Sequence, residues 1–174
     1  MGNNNKFEDM ENSEFHKFFI EEIKDIYGAE LSLVEALPRM QEASTCEELS
    51  TAFSKHAEET QQHVETLESI FDILGEASDS KKCEAMEGLI KEAESIIADT
   101  DRDSYTRDAA LILAAQKVEH YEIATYGTLR TFARIMSHIE IADLLEKTLD
   151  NEKTTNEALT EIAESFINSR AATE

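Results

Sequence analysis

Four glutamates carry the clearest chemical signal in this chain: Glu30, Glu59, Glu119 and Glu152. Each interrupts the apolar stripe of a different predicted helix. Glu30 and Glu59 are equidistant from the polar turn at Ser44-Thr45, and Glu119 and Glu152 from the turn just before Ser137-His138. Folding each pair as an antiparallel hairpin brings its two carboxylates to one level. A four-helix bundle presents ligands to a pair of metal ions in its core in this way.

Metal is the chemistry that resolves the cost. Burying an ionised carboxylate takes several kcal/mol even after relaxation. Two of them about 5 Å apart repel by about 3 kcal/mol at an effective dielectric constant of about 20. The inward stripes supply no Lys or Arg, and protonating the whole cluster would need several raised pKa values at once. Divalent cations relieve both penalties together.

The neighbouring residues extend the set. Glu122 is the i,i+3 partner of Glu119, so both side chains can face inward. On the second helix His56, Glu59 and His63 share a face, and His63 is preferred to His56 as the ligand. Thr155 is the matching i,i+3 partner of Glu152 and a weak ligand at best. A set rich in carboxylates with one or two imidazoles suits iron or manganese better than structural zinc. Tyr126, one turn after Glu122, and Tyr27, one turn before Glu30, are placed to hydrogen-bond a ligand or a bound oxygen species. His120 reads as second in line or on the surface, and His16 and His138 as exposed.

The elements that must position these groups are helices. Phe15, Phe19, Ile23, Ile26, Glu30, Leu33, Leu37 and Met40 recur at three- and four-residue steps, beginning near a cap at Asn12 or Ser13. Pro38 should kink or loosen the last turns. A second helix opens on the capping-box spacing of Thr45-Cys46-Glu47-Glu48 and stops at Gly75. A shorter amphipathic helix spans about 82–98. A third long helix follows from 105 to 136, and a last one starts at the capping box Ser137-His138-Ile139-Glu140. Two long hairpins joined by a crossover that is itself partly helical imply an all-α, ferritin-like four-helix bundle. Residues 1–12 read as a flexible N-terminal segment, 13–168 as one domain and 169–174 as a tail.

Composition agrees and excludes much. One Pro, five Gly and no Trp in 174 residues leave few helix breakers. Sixteen Lys and Arg against 38 Asp and Glu give a formal charge of −22. Such a surface repels phosphate backbones and anionic membranes, so neither nucleic acid nor membrane is an expected partner. Cys46 and Cys83 form no CxxC and read as ordinary reduced thiols. With no signal-peptide core, the cytoplasm is the expected location.

Several stretches carry a family resemblance: Glu21-Glu-Ile-Lys-Asp-Ile-Tyr-Gly-Ala-Glu30, Glu58-Glu-Thr-Gln-Gln-His63, Cys83-Glu-Ala-Met-Glu-Gly-Leu-Ile90 and Lys117-Val-Glu-His-Tyr-Glu-Ile-Ala-Thr-Tyr-Gly127. Together they resemble the YciE/YciF stress proteins of the ferritin-like superfamily, over about residues 7–168. The resemblance implies a cytoplasmic homodimer of rubrerythrin-like bundles, tied to stress response, with a di-iron or related dimetal centre. The wider superfamily pattern of Glu, ExxH, Glu and ExxH is matched by Glu30, Glu59, Glu119 and Glu152. Its histidines do not transfer: Gln62 and Thr155 stand in their places, with His63 next to the first.

The expectation is therefore a stress-associated dimetal carboxylate protein holding two iron ions or manganese at Glu30, Glu59, His63, Glu119, Glu122 and Glu152. It would carry no haem and no nucleotide, draw electrons from a separate donor, and act as a peroxidase or ferroxidase-like oxidoreductase on peroxide or dioxygen. The alternative is a non-enzymatic acidic helical dimer serving as a stress-related binding or scaffold protein.

Overall fold

The computed structural model describes residues 13–174, so the expectations for residues 1–12 lie outside the described residues. Five principal helices appear: α1 (Glu14–Ala43), α2 (Glu47–Leu74), α3 (Glu84–Asp99), α4 (Tyr105–Ile135) and α5 (Ile139–Ile162). A π-helical turn (Ala163–Ile167) and a short α6 (Asn168–Ala171) complete the chain. The four long helices surround one apolar core, built from residues such as Phe19, Phe53, Leu67, Leu111, Leu129 and Leu145. At 1.5 Å per residue the longest, α4, spans roughly 45 Å.

Around the bundle the order is α1, α2, α5, α4. The starts of α1 and α5 meet at one end, where the His16 and His138 rings lie 5.3 Å apart. The starts of α2 and α4 meet at the other, where Asp108 reaches Thr45 and Cys46. Every adjacent pair is thus antiparallel, and α2 runs parallel to its diagonal partner α4. Only a long crossover allows that order. The segment after α2 runs back along α1, and α3 then packs over the seam between α1 and α4. Gly28 permits this close passage: the amide of Lys81 donates to the carbonyl of Lys24 at 3.0 Å, and a Cβ on residue 28 would sit 1.9 Å from the Lys81 carbonyl oxygen.

The helix ends show which local signals act. Ser13 caps α1, its hydroxyl oxygen accepting from the His16 amide. Gly75, with φ 69°, closes α2 in the left-handed region that glycine tolerates. α1 continues past Pro38 to Ala43, so the proline removes one backbone donor without ending the helix.

Neither expected capping box forms. The Thr45 hydroxyl instead donates to the carbonyl of Ser104. The start of α2 is capped from outside by Asp108, whose oxygens accept from the Thr45 amide at 2.7 Å and the Cys46 amide at 2.8 Å. Ser137, with φ 64°, closes α4 and is not available to cap α5. Its amide donates to Arg134, and that of His138 to Ala133.

Three burial expectations are also corrected. Phe15 is exposed and packs edge-on against Phe132. His16, in the first turn of α1, is buried, while His138 is half-buried. The segment 169–174 is largely exposed, and its Glu174 carboxylate accepts from the amides of Tyr105 and Thr106.

Candidate metal centre

Halfway along the bundle the apolar stripes of four helices give way to acids. Glu30 comes from α1, His56 and His63 from α2, Glu119 and Glu122 from α4, and Glu152 from α5. All four carboxylates are fully buried. Ligand atoms of His56, Glu119, Glu122 and Glu152 lie within 4.8 Å of one another, as do those of Glu30, His63 and Glu152. Glu152 belongs to both groups, so it stands where a bridging ligand would.

The polar atoms here are poorly satisfied. One oxygen of Glu30, both oxygens of Glu119, Glu122 and Glu152, and both ring nitrogens of His56 lack a hydrogen-bond partner. Nε2 of His56 lies 3.1 Å from Glu119 and Nδ1 of His63 lies 2.9 Å from Glu152. These are ion-pair distances without aligned hydrogen bonds. Buried polar groups are ordinarily paired, so orphaned acceptors converging from four helices fit a cation-binding centre. Oxygen-rich donors with two imidazoles match the hard-to-borderline preference of iron and manganese.

Without metal, this crowding holds protons. Burial opposes the charge on His56, but Glu119, Glu152 and Glu30 raise its pKa to about 9. For His63 burial is likewise outweighed, by Glu152 and Glu30, to about 11. Burial and then the charges of Glu152, Glu30 and Glu119 push Glu122 well above the carboxylate range. Burial lifts Glu152 to about 7 despite the opposing influence of His63.

The remaining predicted residues divide. Tyr126, fully buried on α4, donates its hydroxyl to Oε1 of Glu30 across the bundle. Tyr27 turns the other way and donates to Glu68 at 3.0 Å, its ring edge-on to Phe71. Glu59 stands outside both groups. It is half-buried, and Lys55, one turn back on α2, holds its Oε1 at 2.6 Å. His56 occupies the interior position expected of it. Periodicity puts all three α2 residues on one face, and the exposed lysine decides which turns outward. Thr155 is buried without a partner for its hydroxyl, as is Thr60, which sequence reading treated only as part of the stripe. His120 is exposed and bonded to the carbonyl of Gln116.

Sequence reading missed Arg107 and Asp108. Both are buried in the first turn of α4, where adjacent charges resemble ordinary capping residues. Arg107 donates to the carbonyl of Ile97 at 2.9 Å and to the hydroxyl of Thr100 at 3.0 Å, fastening the end of α3.

Topology and site together define a ferritin-like helical bundle with a carboxylate and imidazole core. Comparison with known proteins narrows the class. Residues 14–172 match the family described as a domain of unknown function, DUF892. Protein YciF of Escherichia coli strain K12 is 44% identical over 154 residues, covering 88% of this chain and 92% of YciF. The crystal structure of the E. coli stress protein YciF superposes with a TM-score of 0.85 at 43% identity, covering 90% of this chain and 98% of that one. YcfI from Rhodopseudomonas palustris gives a TM-score of 0.82 at 38% identity, over 85% of this chain and 94% of that chain. The chain belongs to this family, that of the YciE/YciF proteins. Among the described residues no helix is long and apolar enough to cross a membrane.

Proposed function

We propose that the chain is a stress-associated dimetal carboxylate protein that holds iron or manganese and reacts with peroxide or dioxygen. The observation that carries this reading is the set of fully buried oxygens on Glu119, Glu122 and Glu152 that lack an aligned hydrogen bond, with Glu152 common to two ligand groups. His56, Glu119 and Glu122 would hold one ion, Glu30 and His63 the other, with Glu152 between them. The stress setting is supported by the description of the E. coli relative as a stress protein. The bound ions would supply the redox chemistry and polarise an oxygen substrate.

The protein's own part is structural and electrostatic. Full burial of the carboxylates excludes water and strengthens every charge interaction at the site. Tyr126 keeps its proton, because burial and then the Glu30 charge raise the phenol pKa. It therefore serves Glu30 as a neutral donor and fixes that carboxylate's orientation. Reducing equivalents come from a separate donor, and the chain works as a cytoplasmic homodimer.

Elemental analysis of protein purified without chelator tests this: about two equivalents of iron plus manganese per chain are expected for a dimetal centre. Peroxide consumption should disappear in the Glu119→Ala, Glu152→Ala double variant. Substantially metal-free protein after growth in metal-rich medium, or undiminished turnover in that variant, would refute the reading.

One observation favours a second reading. The proximity of His56 to Glu119 and of His63 to Glu152 lets two imidazolium–carboxylate pairs neutralise part of the core without metal. The chain would then be a non-enzymatic acidic helical scaffold. That reading requires a Tm indifferent to chelator, with Glu122→Gln raising it.

A further inference from the structure

The carboxylate cluster is closed on all sides, so a cation must have a way in. Along the α1–α4 seam, α3 lies over the bundle. Along the α2–α5 seam, by contrast, a polar chain leads outward. Nε2 of His63 is 2.7 Å from Oδ1 of Asn151. Asn151 thus faces α2 from α5, and on α2 Lys55 holds the Glu59 carboxylate from outside at 2.6 Å. The Lys55 side chain is 64% exposed and that of Glu59 is 15% exposed. The chain thus begins in solvent and ends at a cluster ligand. Glu59 follows His56 by three residues and precedes His63 by four, so on α2 it neighbours both imidazoles.

We propose that the α2–α5 seam is the loading route for divalent cations, with Glu59 as the transit carboxylate that takes the cation from water and passes it to His63 and Glu152. The proposal rests on the dimetal reading and deepens it. A hydrated divalent ion cannot shed its shell into an apolar seam without replacement ligands, because desolvating a charge costs far more than thermal energy. Glu59 supplies such a ligand at the boundary, and Asn151 supplies a polar group on the facing helix. Lys55 is the counter-ion between loading events. The Lys55 ammonium is open to water and carries a single charge, so an arriving divalent ion competes with it for the carboxylate.

The test uses full-length metal-free protein and Co(II) as the probe, followed by its visible absorption in a stopped-flow instrument. Glu59→Gln should slow uptake about tenfold, equivalent to about 1.4 kcal/mol on the barrier. It should slow chelator-driven removal to a similar degree and leave the final stoichiometry at the wild-type value. Lys55→Met should accelerate both steps. Unchanged rates in both variants would overturn the route alone. Normal uptake with faster removal in Glu59→Gln would also overturn it, making Glu59 a resident ligand. Wild-type protein that takes up no Co(II) would overturn the route and the dimetal reading together.

Discussion

Tyr126 on α4 donates its hydroxyl to Oε1 of Glu30 on α1, while the second oxygen of that carboxylate is left without a partner. One oxygen is thus fixed by the protein and the other is buried and unsatisfied. Tyr126→Phe removes the donor but keeps the ring. The metal-free variant should lose about 1–3 kcal/mol, the usual cost of leaving a buried acceptor unsatisfied. Chemical denaturation with and without metal checks this, and the loss should shrink in the loaded protein.

Proton linkage gives a prediction with an unusual sign. Glu152, His56 and His63 all have pKa values raised in the folded state, to about 7, 9 and 11. A raised value means the folded state binds protons more tightly than the unfolded chain. Their contribution is therefore present at low pH. It declines from about pH 4.3, the ordinary Glu value, as each group loses its proton. Metal-free protein should melt on the order of 5 °C lower at pH 9 than at pH 5, as scanning calorimetry would show.

Metal must displace those protons, because imidazole and carboxylate bind cations in their deprotonated forms. Titration calorimetry in buffers of different ionisation enthalpy should report release of about two or three protons at neutral pH. Apparent affinity should rise with pH over the same range. Loading without proton release would count against ligation by the two histidines.

Gly28 and Gly88 make a matched pair. Both are helical, and alanine is the better helix former by about 1 kcal/mol. At Gly88 a Cβ would meet open space, whereas at Gly28 it would meet the Lys81 carbonyl oxygen at 1.9 Å. Gly88→Ala should therefore stabilise by up to about 1 kcal/mol. Gly28→Ala should destabilise by about 1–3 kcal/mol, because backbone must move to admit the methyl group. Denaturation midpoints of the two variants decide the matter.

Much of this arrangement is legible in the sequence because helical periodicity encodes which face is buried. Glu30, Glu119 and Glu152 stand out as acids on otherwise apolar stripes, and they converge as their spacing predicts. Periodicity is too coarse to rank residues that share a face, so it favoured His63 over His56 and included Glu59. The structure brings both histidines inward and turns Glu59 toward Lys55, a choice set by a flexible surface cation. The role of Asp108 was illegible for another reason. Its partners are backbone amides more than sixty residues earlier in the chain, and backbone groups leave no mark in a sequence.

Asp108→Asn should expose that role. The amide nitrogen presents a donor to one of the two N–H groups that the carboxylate serves, at a cost of about 1–3 kcal/mol. Hydrogen exchange at Thr45 and Cys46 should quicken, and the change is readable by mass spectrometry of the first turn of α2.

The same clasp has a consequence for the distant centre. Asp108 ties one hairpin to the other at a single height, and a helix that slipped by one turn would be displaced by about 5.4 Å. That displacement exceeds the 4.8 Å within which each ligand group gathers. A carboxylate at the bundle's tip thus acts as a ratchet stop: it sets the axial alignment that lets acids from separate hairpins meet.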